Sequence, residues 1–249
     1  MIVLLLIPTA LLAQPYCPEE QTMTMSGRIV NAWVVAVDQE PVEALQTHFR
    51  EYVRKRFRVY VRPDAHDSEL LVARQAVMPT ITYLSGSLMA RFYCEGDTTM
   101  LAVAYHPASG TPLSARDNPQ DTQNLWEFTQ GFVQYYKVKQ IKDQIAEEQH
   151  WRREWEESCE RDEQNIKKLN RKVERARRRM VRNEGKTKEK WQAKRAVLLS
   201  RVAAIRELKL VKLREIERSY TTVHRLKEEL MQVRARFDEP IKYEWGPPV

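Results

Sequence analysis

The chain has 249 residues and 12 prolines but only 7 glycines, with 30 % charged and 43 % hydrophobic residues. That is enough apolar material for one real core, and too much charge without glycine for two compact domains of equal kind. The formal net charge is +7, and the twenty residues Arg171–Lys190, with ten bases and three acids, carry a surplus of the same size. The rest of the chain is therefore balanced, which excludes a uniformly basic protein coating a polyanion along its whole length.

In chain order, the first feature is the apolar run Ile2–Leu12, too short to span a bilayer and suited to the core of a secretory signal with cleavage after Ala13. No Lys or Arg precedes it, as would follow if the true start lies a few residues upstream; an uncleaved membrane anchor is the alternative. Residues 14–25 read as a linker. Export would allow Cys17 and Cys94 to form a disulfide, although spacing alone does not establish the pairing, and three cysteines leave one over.

Residues 26–135 read as an α+β head. Ile29–Val37 is a buried strand, and Val42–Phe57 is a helix with Val42, Leu45, Phe49, Tyr52 and Val53 on one face. Arg58–Val61 forms a short strand ending at Pro63, and 64–76 is polar and irregular. From Thr80 to His106 three strands are expected, broken at Ser85–Gly86 and at Glu95–Gly96–Asp97. A loop ends at Asn118–Pro119, a helix start. This order predicts a mostly antiparallel sheet with helices on one face.

The head carries no phosphate-cradling glycine loop and no nucleophile elbow. His48, His66, His106, His150 and His224 show no metal-ligand spacing. His66 between Asp64 and Asp67 reads as a solvated loop, and Ser85, His106 and Asp117 are no more than any chain of this size offers as a triad. No catalytic residue, cofactor or metal site is assigned, and the expectation is a protein that is not an enzyme.

Residues 136–238 read as a long coiled-coil hairpin. Ile141, Ile145, Glu148, Arg152, Trp155, Cys159, Asp162, Ile166, Leu169, Val173, Ala176 and Met180 alternate spacings of four and three without a slip, a heptad seam. Asn183–Glu184–Gly185 is a turn signal, which places the tip near 183–186. A second helix from Thr187 to about Phe237 has its seam traced through Trp191, Leu198, Val202, Ile205, Leu208, Ile216, Tyr220, Val223, Leu226, Leu230, Val233 and Phe237, with ambiguous phase around Leu208–Leu213. Charge supports an antiparallel fold-back: 143–163 has nine acids and three bases, while 206–226, opposite it, has six bases and three acids.

Arms of about 45 residues would span roughly 65 Å. The surplus charge would then lie at the far end, on Arg171, Lys172, Arg175, Arg177, Arg178, Arg179, Arg182, Lys186, Lys188 and Lys190. Crowded like charge opposes folding and points to an anionic partner, against a solvated helix end screened by salt. The tail 239–249 leaves the second helix at Pro240, with Tyr243 and Trp245 available as an apolar latch.

The opening "TMSGRIVNAWVVAV", the run "TITYLSGSLMARFYCEGDTTMLAVAYHPASGTPLSA" and the charged coil together resemble an uncharacterised group of exported proteins from Bacteroidota, in which a small α+β head precedes a Lys/Glu-rich coiled coil. The resemblance implies export to the periplasm or envelope but brings no activity or functional residues. A looser likeness of form is to jellyfish-shaped periplasmic holdase chaperones.

The resulting expectation is an envelope scaffold whose tip engages anionic lipid, lipopolysaccharide phosphates or an acidic protein. A holdase chaperone that oligomerises through its coiled coil is the alternative. Nucleic-acid binding ranks below both, because export separates the chain from nucleic acid and the tip lacks interleaved aromatics. An enzyme in the head comes last.

Overall fold

The structure, a computed structural model, describes residues 18–38 and 41–238. The expected signal at 1–13, Cys17, the side chain of Phe237 and the tail with Tyr243 and Trp245 lie outside the described residues. Two compact units divide between Lys137 and Val138. No helix among the described residues is long and apolar enough to cross a membrane.

The first unit holds β1 (Glu19–Met25), β2 (Arg28–Asp38), α1 (Val42–Phe57), β3 (Arg62–Pro63), β4 (Leu70–Met78), β5 (Thr82–Glu95), β6 (Thr98–Pro107) and the start of α2 (Pro119–Arg182). The six strands form one sheet in the order β1-β2-β6-β5-β4-β3, with every neighbouring pair antiparallel. This is the expected α+β architecture.

Its details correct the local reading in four places. Part of the expected linker, Glu19–Met25, is the edge strand β1, turned into β2 by Ser26 and Gly27, both at positive φ. The short strand is Arg62–Pro63, since Arg58 closes α1 in a left-handed conformation and is not part of a strand. The stretch taken as irregular contains most of β4, whose Leu70, Leu71 and Val72 are buried. Ser85–Gly86 is not a turn. β5 runs straight through it, and a Cβ on Gly86 would lie 2.5 Å from the His106 carbonyl oxygen and 2.7 Å from the Tyr105 ring. Glycine is used there for close approach of neighbouring strands. The break at Gly96–Asp97 is a real two-residue hairpin turn.

Strand alternation sorts the sheet into two apolar faces. On one, Leu88, Ala90 and Phe92 of β5 pair with Tyr105, Val103 and Leu101 of β6. Leu45, Phe49, Tyr52 and Val53 of α1 and Leu125, Phe128 and Phe132 of α2 are buried with them. Phe49 is the hub, its ring 5.6 Å from Phe92, 6.1 Å from Phe128 and 5.0 Å from Phe132, each edge-on. Trp33 Nε1 donates to the Thr122 carbonyl and Asn124 Nδ2 to the Ile81 carbonyl, joining α2 to the sheet.

The opposite face is apolar too. Met25, Val30, Ala32, Val34, Leu70, Val72, Met89, Ala102 and Ala104 form a second buried cluster. No helix of this unit is needed to cover it, because the sheet curls on itself. Ser26, after β1, donates to Asp64, after β3, at 3.0 Å, and Arg91 reaches both the Thr24 carbonyl and Asp67. The two edges of the strand order are thereby brought together over the second cluster.

The second unit is an antiparallel hairpin of α2 and α3 (Gly185–Asp238). Every residue of the α2 seam from Ile141 to Met180 is buried or half-buried, as the unbroken repeat requires. In α3 the seam runs through the shielded Trp191, Arg195, Leu198, Val202, Ile205, Lys209, Lys212, Ile216, Ser219, Val223, Leu226, Leu230 and Val233, again spaced by four and three, with Glu215 and Thr222 half-buried at its flank. Leu208 and Tyr220, traced onto the seam from sequence, are instead exposed.

The reason is the polar middle of α2. Asp162 and Ser158 accept hydrogen bonds from Lys212 Nζ at 2.6 and 2.8 Å, Glu163 pairs with Lys209, and Ser219 Oγ donates to the Glu148 carbonyl at 3.2 Å. A seam with acids on one arm takes lysines from the other, and the leucines between them are displaced outward. Tyr220 then lies over the Arg152 guanidinium, 4.2 Å from it.

Candidate anion-binding tip

The basic stretch is built from the last turns of α2 and the first turns of α3, joined by Asn183 and Glu184. Asn183 Nδ2 donates to the Arg179 carbonyl at 2.5 Å, satisfying one of the helix-terminal acceptors. Gly185 takes φ +58°, a conformation that side chains with a Cβ rarely adopt, and the chain reverses there. On the inside, Ala176 and Leu198 are buried, with Met180 half-buried beside them, so the helices remain packed to the turn.

All ten bases assigned from sequence are exposed. Arg177 and Arg178 lie 3.7 and 3.5 Å from Glu174 on their own helix. Arg179 crosses to α3 and lies 4.6 Å from the centre of the Trp191 ring, which Lys194 approaches to 5.0 Å. Among the described residues no carboxylate pairs with Arg171, Lys172, Arg175, Arg179, Arg182, Lys186, Lys188 or Lys190. Arg195, on the α3 seam, has its Nε shut off from solvent without an acceptor among the described residues.

Helix dipoles divide these charges into two kinds. Arg179 and Arg182 occupy the last turn of α2, where the partial negative charge of the carbonyl end favours cations. Lys186 and Lys188 stand in the first turn of α3, which has no acidic residue although free N–H groups and partial positive charge call for one. The lysines and the amide end therefore add to one another, a combination that suits an anion.

The structure extends the basic surface beyond the assigned residues. Lys168, Lys172 and Arg201 line a groove of about 430 Å³ between the arms, over Leu169 and Ile205. Lys168 and Lys172 are one helical turn apart, and Arg201 comes from the other arm. The hairpin register was therefore the signal that would have added Lys168 and Arg201 to the assigned Lys172.

The other residues singled out from sequence have structural roles. Asp64 accepts from the His66 backbone N–H and from Ser26, and these bonds, with Arg74 nearby, hold its carboxyl below the usual range. Asp67 accepts from Arg91 at 2.5 Å. Asp117 is bonded to Ser114 in the turn before α2, whereas Ser85 and His106 line a cleft on the curled sheet. No cluster of His, Cys, Asp and Glu among the described residues could hold a metal ion. Cys94, at the exposed end of β5, has its expected partner Cys17 outside the described residues. No protein-family model, curated protein or solved structure matches the chain.

Proposed function

We propose that the chain is an exported interaction protein of the cell envelope, whose hairpin tip docks onto an anionic surface, either lipid head groups or lipopolysaccharide phosphates. The observation that carries this reading is the set of eight exposed cations at the turn without a carboxylate partner among the described residues. A chain that is otherwise electrically balanced has no folding reason to gather its surplus charge where two helices converge. Guanidinium groups suit phosphate oxygens, which they bind in pairs of parallel hydrogen bonds. The assignment involves no reaction.

The test is co-sedimentation of the full chain with phosphatidylglycerol-containing and with purely zwitterionic vesicles. Retention on the first alone, released at high salt and lost on replacing Arg177, Arg178, Arg179 and Arg182 by Gln, supports the reading. Unchanged retention of that variant at low salt overturns it.

A holdase role is the second reading, and one observation favours it. Leu208 and Val211, three residues apart on one face of α3, are 60 and 54 % exposed, an apolar surface that a client or a second copy could cover. Sedimentation equilibrium showing a strict monomer counts against it.

A further inference from the structure

The curled sheet of the first unit encloses a cleft of about 500 Å³, within the range of small-molecule sites. It opens where the turn after β1 approaches β4, β5 and the end of β6. Its polar lining is one-sided in charge: Arg28 from β2, Arg74 and Gln75 from β4, the buried His106 from β6, and Ser26, Ser85 and Ser87, with no carboxylate lining it among the described residues. Its floor is apolar, formed by Val72 and Met89 of the second buried cluster.

Neither guanidinium is saturated. Arg28 lies 3.4 Å from His106 Nδ1, its one polar side-chain contact among the described residues. Arg74 approaches Asp64 no closer than 3.7 Å, and Asp64 already accepts from Ser26 and the His66 N–H. Most of the ten N–H donors that two guanidinium groups carry are therefore open to a ligand.

The backbone beside the cleft is shaped irregularly. Between Ala73 and Ala76 three steps of β4 pass only two of β5, from Leu88 to Gly86, so the strand bulges at Arg74 and Gln75. Gln75 is held at φ +53°. Bulges of this kind re-aim side chains and gather beside functional sites, and a strained non-glycine residue persists only where its surroundings hold it.

We infer that this cleft binds a small organic anion, a carboxylate joined to a short apolar body. Its carboxylate is held between Arg28 and Arg74 with the Ser85 and Ser87 hydroxyls, and its apolar body rests on Val72 and Met89. Two guanidiniums specify the anion; the methionine and valine floor favours a carboxylate with a hydrocarbon tail over inorganic phosphate. This site is built from residues of the first unit alone and does not depend on the tip.

The test is calorimetric titration of the full chain with acetate, butyrate, hexanoate and inorganic phosphate as probes, backed by heteronuclear NMR of the His106 ring. Affinity rising along the carboxylate series, with shifts at His106 and a Kd raised at least about tenfold in R28Q/R74Q, supports the site. Both arginines are exposed, so R28Q/R74Q is expected to fold, and an unchanged amide spectrum outside the cleft verifies this. R28K/R74K, which keeps the charge, should recover part of the loss. The tip variant with Arg177, Arg178, Arg179 and Arg182 changed to Gln serves as a control and should bind the probes normally. Absence of saturable binding, equal binding by R28Q/R74Q, or phosphate binding as tightly as hexanoate overturns the inference.

Discussion

Phe49 offers the most direct quantitative test of the first unit. Its ring is 0 % exposed and meets three other phenylalanine rings edge-on, one from β5 and two from α2. Removing it should therefore separate a helix from the sheet on one side and from a second helix on the other. Truncation of a fully buried phenylalanine to alanine costs about 3–5 kcal/mol, counting the transfer of the ring and the cavity left behind. Against a typical domain stability of about 5–15 kcal/mol, that is a fifth or more of the total.

Phe49→Leu keeps most of the volume and should cost less than about 1.5 kcal/mol. Amide hydrogen exchange in the full chain measures both, because amides of β5 and β6 in the middle of the sheet exchange only when the unit opens. At about 1.4 kcal/mol per decade, Phe49→Ala should accelerate them by roughly two to three and a half orders of magnitude. Acceleration of less than about tenfold, or an equal effect of Phe49→Leu, would refute Phe49 as the packing hub.

The remaining predictions concern charge. Burial raises the Tyr52 phenol to about 12 despite the opposing pull of Arg56. The unfolded chain should then ionise first near the ordinary value of about 10, so this contribution is complete below pH 10 and falls as pH rises through the folded value. A Tyr52→Phe variant should lose that alkaline slope in urea titrations at successive pH values; an unchanged slope would assign it elsewhere. Asp64 is shifted the opposite way, so its contribution is present above the usual carboxylate pKa of about 4 and disappears as pH falls through the lowered folded value. Ser26→Ala should move the Asp64 carboxyl resonance titration upward in pH, and a static midpoint would show that the Ser26 bond is not formed. In the hairpin, Lys212→Asp and Asp162→Lys should each cost roughly 1–2 kcal/mol in thermal unfolding followed by helical ellipticity. The double exchange should regain most of that, and strict additivity of the two losses would contradict the register.

How much was legible in the sequence varied with how local the determining interactions are. The α2 seam could be read residue by residue, because a helix repeats its own geometry and each seam position has a fixed offset from the last. The tip residues followed from simple counting, and the hairpin from the complementary charge of two distant stretches. The α3 seam failed at Leu208 and Tyr220 because hydrophobicity was the only guide to its phase, whereas the phase is decided by Asp162, Glu163 and Ser158 on the other arm. Lysines in a seam look wrong until their partners are known.

By itself, then, the sequence determined the division of composition into a core-forming part and a charged helical part, the α1 face, the heptad repeat of α2, and the place where positive charge accumulates. Tertiary structure decided which polar-looking segment is strand β4, that Gly86 admits a neighbouring strand instead of turning the chain, and that the sheet curls to bury its second face. It also brought Arg28, Arg74 and His106, far apart along the chain, around one cleft. The physical reason is the range of the forces concerned: helix periodicity and net charge are sums over neighbours in sequence. Strand pairing, sheet curvature and a converging set of donors depend on residues that meet only after the chain has folded.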